Sequence, residues 1–187
     1  LFDFRSYSHV DHYAKYNYLE YELFRNNKSI GYHKFNFDRN EDKLSIKSKV
    51  SFKISKLGVD LYKYNAESQE NYINGIFKNY TSKTKQNKKD RFVNISLDSS
   101  DQYLLIDGSS YKGKAKKEFI VGTWWNHEIV NAEAQISGIS GRIIEQTVTF
   151  LGKEELKIGE KTYKALRFNF KSSDKTLPDS KKLNTDI

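Results

Sequence analysis

The chain has 187 residues, no Cys, no Met, and a formal net charge of +8. That length fits one domain able to bury about 70% of its unfolded surface, and the missing thiols exclude disulfides, thiol catalysis and thiolate metal sites. No stretch approaches the ~20 apolar residues of a membrane-spanning helix.

The charge invites a nucleic-acid reading, but 26 of the 32 basic residues are Lys and only 6 are Arg. Base and phosphate recognition favours the bidentate Arg fork. The basic residues are also spread over nearly every segment, as on solvated strand faces, so no nucleic-acid partner is expected. Thirteen Tyr, twelve Phe and two Trp offset a low hydrophobic fraction of 37%, and aromatics favour strands.

Residues 1–15 have no clean period and read as an N-terminal arm or short helix. His9-Val-Asp-His12 has a spacing that suits a metal on a helix turn, but no third or fourth ligand is evident, so no metal or other cofactor is expected. Residues 16–187 read as a single antiparallel β domain. Tyr18 to Phe24 alternates, Asn26-Asn27-Lys28 is a turn, and Ser29 to Phe37 returns. Leu44, Ile46, Ser48, Val50, Phe52 and Ile54 then alternate with Ser45, Lys47, Lys49, Ser51 and Lys53, giving a strand with one dry and one wet face.

Leu57-Gly58-Val59 breaks the alternation as a bend or bulge. A strand from Leu61 to Tyr72 meets Asn74-Gly75, the strongest hairpin signal in the chain. Strands Ile76 to Thr84 and Arg91 to Leu97 flank an exposed polar turn at Lys85 to Asp90. Tyr103 to Ile106 enters a turn at Asp107-Gly108, and the basic stretch Ser109 to Lys117 reads as a mobile loop. Phe119 to His127 reads as a strand carrying Trp124-Trp125, whose indoles would then point to opposite faces. Glu128 to Gln135 reads as a short helix or link. Strands follow at Arg142 to Phe150, Glu154 to Ile158 and Tyr163 to Phe170, and residues 170–187 form a polar tail.

About ten hairpin-connected strands predict an all-β fold, a strongly curved antiparallel sheet bent into a half-barrel or near-closed barrel, lipoprotein-carrier-like or lipocalin-like. There is no nucleophile motif and no phosphate loop. Tyr62 and Tyr64 share a face and offer apolar bodies with polar tips. With Glu70, Tyr72, Trp124, Trp125 and His127 they form the candidate ligand-binding set. Glu67 and Glu70 stand near Tyr72 and His127 follows the Trp pair, so an enzyme reading would use Glu70 and His127 as acid and base. The acceptor triplets Asn79-Tyr-Thr81 and Asn94-Ile-Ser96 are what chance supplies in an Asn-rich chain.

The order of pieces resembles the domain of unknown function 6134 family of exported bacterial proteins. The matching pieces are Tyr21-Glu22-Leu23-Phe24, Ser29-Ile30-Gly31, the Leu44 strand, Leu61-Tyr62-Lys63-Tyr64, Glu70-Asn71-Tyr72-Ile73-Asn74-Gly75, Thr123-Trp124-Trp125-Asn126 and the Gly141 strand. The resemblance implies a periplasmic or secreted envelope protein without known catalytic residues, which fits the absent initiating Met as a removed signal peptide. It also implies a further strand pair beyond Ile187, hence a chain truncated before a final hairpin. The expected function is non-catalytic binding of a hydrophobic or amphipathic ligand, such as a lipid, on the concave face. The alternatives are an assembly factor docking an envelope protein partner through its sheet edge or the basic loop Lys112 to Lys117, and a small hydrolase-like enzyme using Glu70 and His127.

Overall fold

The computed structural model describes residues 13–179 and 182–187, so the His9–His12 cluster lies outside the described residues. The strands are β1 (Tyr18–Arg25), β2 (Lys28–Asn40), β3 (Lys43–Lys56), β4 (Val59–Ile73), β5 (Ile76–Gln86), β6 (Lys89–Leu97), β7 (Tyr103–Gly108), β8 (Lys112–Lys116), β9 (Ile120–Val121), β10 (Ala134–Ile136), β11 (Ile143–Ile158), β12 (Lys161–Ser172) and β13 (Asn184–Asp186). Among the described residues there is no α-helix; a 3-10 turn spans His127–Val130.

The contacts fall into two compact units. One runs to Lys117 and takes in Ser137–Arg142; the other holds Glu118–Ile136 and Ile143–Ile187. In the first, β1 to β8 form one antiparallel sheet in sequence order. Its hairpins turn where residues accept positive φ: Asn26 and Asn27 at 50° and 58°, Asn74 and Gly75 at 50° and 72°, Asn87 at 53°. Such angles match the right-handed twist of the flanking strands. Leu57 and Gly58, at 51° and 79°, make a tight turn of the same kind rather than the expected bend or bulge.

Neither sheet is closed or strongly curled. The all-β, antiparallel part of the fold expectation stands and the barrel does not. Closure needs the first and last strands to pair. Here strand length falls from 15 residues in β4 to 5 in β8, and β1 and β8 remain the two edges. The stretch expected as a mobile loop contains β8, paired with β7 from Tyr103↔Lys116 to Asp107↔Lys112. Only Ala115 of its five residues is buried, which is why its composition hides a strand.

One face of this sheet is the core. Cross-strand rungs align Phe37, Ile46, Glu70, Tyr80, Ile95 and Ile106, and next to them Phe35, Ser48, Ser68, Ser82 and Val93. Burying a side chain such as Ile95 or Leu104 stabilises by about 1.5–3 kcal/mol. The Ser137–Arg142 turn lies on this face. The Tyr80 phenol and the Ser82 hydroxyl both donate to the Gly138 carbonyl, at 2.9 and 2.6 Å. Gly108 permits that approach, because a Cβ there would sit 2.9 Å from the Ser140 carbonyl carbon.

The second unit holds a five-stranded sheet in the order β13-β12-β11-β10-β9, antiparallel except for β9 beside β10. The two short strands expected at 142–150 and 154–158 are one strand, β11, with a register shift between Phe150 and Gly152. Buried Val121, Ile129, Ala134, Ile136 and Phe170 form its core.

Candidate functional site

The core face of the eight-stranded sheet changes character toward the end that carries the Leu57-Gly58 turn. There the rung Leu23, Gly31, Phe52, Tyr64 and Gln86 is half-buried rather than sealed. Phe52 stacks on Tyr64 with ring centroids 5.0 Å apart and meets Tyr62 at 5.8 Å. The predicted Tyr62 and Tyr64 thus come together around a residue the alternation marked only as dry. Gly31 makes room for Phe52: a Cβ at Gly31 would overlap the Ser51 carbonyl oxygen and sit 2.6 Å from the Phe52 Cα.

The next rung holds Tyr21, His33, Val50, Ala66, Thr84 and Arg91. The open hollow of about 600 Å³ that borders this rung belongs mostly to the opposite face of the same strands, where Lys49, Glu67, Lys83 and Phe92 form one rung and Asn65, Lys85 and Asp90 another. Thr84 is 3% exposed, and its hydroxyl makes no hydrogen bond of ordinary length and angle. The Tyr64 phenol lies beside it.

The polar tips on this face are largely neutral. Burial depresses His33 to about 4, and its Nε2 lies 2.9 Å from the Ser48 hydroxyl oxygen. Burial raises Tyr64, and raises Tyr80 to about 12. Arg91 brings a cation; its Nε donates to Gln86 Oε1 at 3.1 Å and its Nη1 to Ser110 Oγ at 3.2 Å.

Glu70 and Tyr72 also point to the core face of β4, but six to ten positions from Tyr62 and Tyr64, some 20–30 Å along the strand at about 3.3 Å per residue. The Glu70 carboxylate, 2% exposed, accepts from the Tyr72 phenol. These two form a buried polar pair in the sealed part of the face.

Trp124, Trp125 and His127 belong to the second unit. The Trp pair does not sit on a strand, since β9 ends at Val121. Trp124 takes a positive φ of 65°, and this separates the two indoles: Trp124 is 38% exposed and Trp125 4%. The Trp124 ring meets Phe170 edge-on at 5.4 Å. His127 is exposed at the start of the 3-10 turn, which Asn126 caps by accepting from the Glu128 N–H at 3.1 Å.

Sequence reasoning missed Phe52, His33, Thr84 and Arg91 as site residues. The signal for them was register. Counting out from the two-residue turns Asn26-Asn27 and Asn74-Gly75 sets Leu23 opposite Ile30 and Ala66 opposite Lys83, and a register shift of one residue in each hairpin moves the true partners to Gly31 and Thr84, so the turns alone do not reveal the rung.

Among the described residues, no group of three or more His, Cys, Asp or Glu is placed to hold a metal ion, and no helix is long and apolar enough to cross a membrane. A family model described as Domain of unknown function (DUF6134) matches residues 21–185. No curated protein and no solved structure matches the chain.

Proposed function

The chain belongs to the DUF6134 family, and from that premise we propose that it binds a hydrophobic or amphipathic small molecule without transforming it. One observation carries the reading: the rings of Phe52, Tyr62 and Tyr64 form a half-buried apolar wall at the unsealed end of the core face. An apolar chain lies against the rings and gains from the area it removes from water. Its polar end reaches the half-buried Arg91 guanidinium, where the neutral His33 and Tyr64 offer no competing charge. This division of labour, apolar walls with a few polar tips, is general to small-molecule sites. A periplasmic or secreted location is part of the same proposal, since envelope lipids are ligands of that chemistry.

Native mass spectrometry of the purified protein, with extraction and identification of any bound amphiphile, tests the reading. A fatty-acid probe is expected to bind saturably, and Phe52→Ala combined with Tyr64→Ala is expected to weaken it about tenfold or more. Equal affinity in the folded double variant, or no saturable binding in the parent, would overturn it.

A further inference from the structure

In an antiparallel meander alternate turns lie at the same end of the sheet. Asn26-Asn27, Leu57-Gly58 and Asn87-Lys88 therefore share one end; Glu41-Asp42, Asn74-Gly75 and the Asp98–Gln102 turn share the other. The two ends differ in charge. Within four residues of the first three turns stand nine basic residues against three acidic ones; Arg25, Lys28, Lys53 and Lys56 flank the Leu57 tip, while the Asn87-Lys88 turn with Lys83, Lys85, Lys88, Lys89 and Arg91 is level with Lys63 or further back along β4. Within the same distance of the other three turns stand three basic residues against six acidic ones. The acidic residue nearest Leu57 is Asp60, whose carboxylate is engaged by Lys63 at 2.8 Å, Lys53 at 3.5 Å and the Ser55 hydroxyl at 2.7 Å.

The apolar residues at the basic end are as unusual as the charge. Leu57 is 94% exposed, and Phe24, Val59 and Leu61 are each more than half exposed. Leu57 also holds φ at 51°, in the left-handed region that a Cβ disfavours and that Asn occupies at the neighbouring turns of this sheet. A Leu there gains nothing from burial within the chain and strains its own turn. Residues of that kind earn an explanation outside the fold.

We propose that this end of the sheet docks on an anionic phospholipid surface, with Leu57 entering the headgroup region and Phe24, Val59 and Leu61 lying beside it. Basic side chains near an anionic leaflet each strengthen binding about fivefold, and only within a Debye length. The lipid interface also accepts apolar side chains that water does not. Charge alone would suit any polyanion. An exposed apolar apex flanked by Arg25, Lys28, Lys53 and Lys56 suits a surface that is charged outside and hydrocarbon within. The inference is independent of the ligand reading and survives if the aromatic wall binds nothing.

Co-sedimentation of the whole chain with vesicles tests it, using phosphatidylcholine alone and phosphatidylcholine mixed equally with phosphatidylglycerol. Binding is expected to the mixed vesicles only and to fall with added salt. The decisive variant is Leu57→Asn, which suits the left-handed turn and so keeps the fold while removing the apolar point. It is expected to lose about tenfold in vesicle affinity. A Leu57→Trp variant is expected to shift its indole emission to the blue on binding relative to the parent chain. No binding to the anionic vesicles, equal binding to neutral ones, or undiminished binding by Leu57→Asn would each overturn the proposal; the last would show adsorption by charge alone.

Discussion

The Tyr72 phenol donates to the Glu70 carboxylate two positions earlier on the same face of β4, inside the sealed part of the core. A carboxylate removed from water is costly unless its oxygens are satisfied. Tyr72→Phe keeps the ring, and with it the edge-on contact to Phe77 at 5.7 Å, but deletes the donor. We expect a loss of about 1–3 kcal/mol in urea unfolding, and a smaller loss when Glu70→Gln is added to it. Equal stability of Tyr72→Phe and the parent would mean that other partners suffice for Glu70.

Gly31 is expected to tolerate no side chain. The overlap with the Ser51 carbonyl and the Phe52 Cα involves backbone, which yields only if β2 and β3 separate. Gly31→Ala should cost about 1–3 kcal/mol or more and loosen the Phe52–Tyr64 stack, read as a lower urea midpoint and weaker fatty-acid binding together. Gly58 has open space around it. There Gly58→Ala should cost only the strain of its positive φ, about 1 kcal/mol.

How much of this was legible in the sequence depended on whether a residue announces its own conformation. Asn26-Asn27 and Asn74-Gly75 do, because Asn and Gly are the residues that accept positive φ. Leu57 does not, so its turn read as a bend. Alternation marked the dry face of β3 correctly, since burial follows the period of two. It failed for β8, where Lys112, Gly113, Lys114 and Lys116 leave Ala115 alone to signal a face. Strand identity there comes from pairing with β7, which no local pattern records. The barrel was an inference about closure, and closure depends on whether distant edges meet. For the site, Tyr62 and Tyr64 were visible as tyrosines on one face. Thr84 and His33 became visible only when the register set them beside the rings.

The pH dependence of stability should carry the mark of His33. Burial sets its folded value at about 4, below the ordinary 6.5, so the unfolded chain binds that proton more readily. The stabilisation is complete above pH 6.5 and is lost as pH falls toward 4. Most depressed carboxylates give up their contributions at lower pH; Asp60, for one, stands at about 2. Urea midpoints measured between pH 7 and 4 should therefore decline in the parent and decline less in His33→Gln. Parallel profiles for the two proteins would sink this assignment.

The second unit offers a polar test of the same logic. Gln135 donates its amide to Gln146 Oε1 at 2.7 Å, and Gln146 Nε2 donates to the Ile129 and Ala132 carbonyls at 3.0 and 3.1 Å. Both side chains are buried, and Gly122 leaves room for Gln135, whose Oε1 a Cβ at that position would overlap. The pair thus ties the loop after the 3-10 turn to β10 and β11. Gln146→Leu strands two carbonyls and one amide at once, so we expect a loss of about 2–4 kcal/mol. Gln135→Leu, which strands mainly one acceptor, should cost less. Both Trp residues lie in this unit, so urea unfolding followed by Trp emission reads the effect where it occurs. A Gln146→Leu midpoint at or above that of Gln135→Leu would show that the carbonyls of Ile129 and Ala132 find other donors.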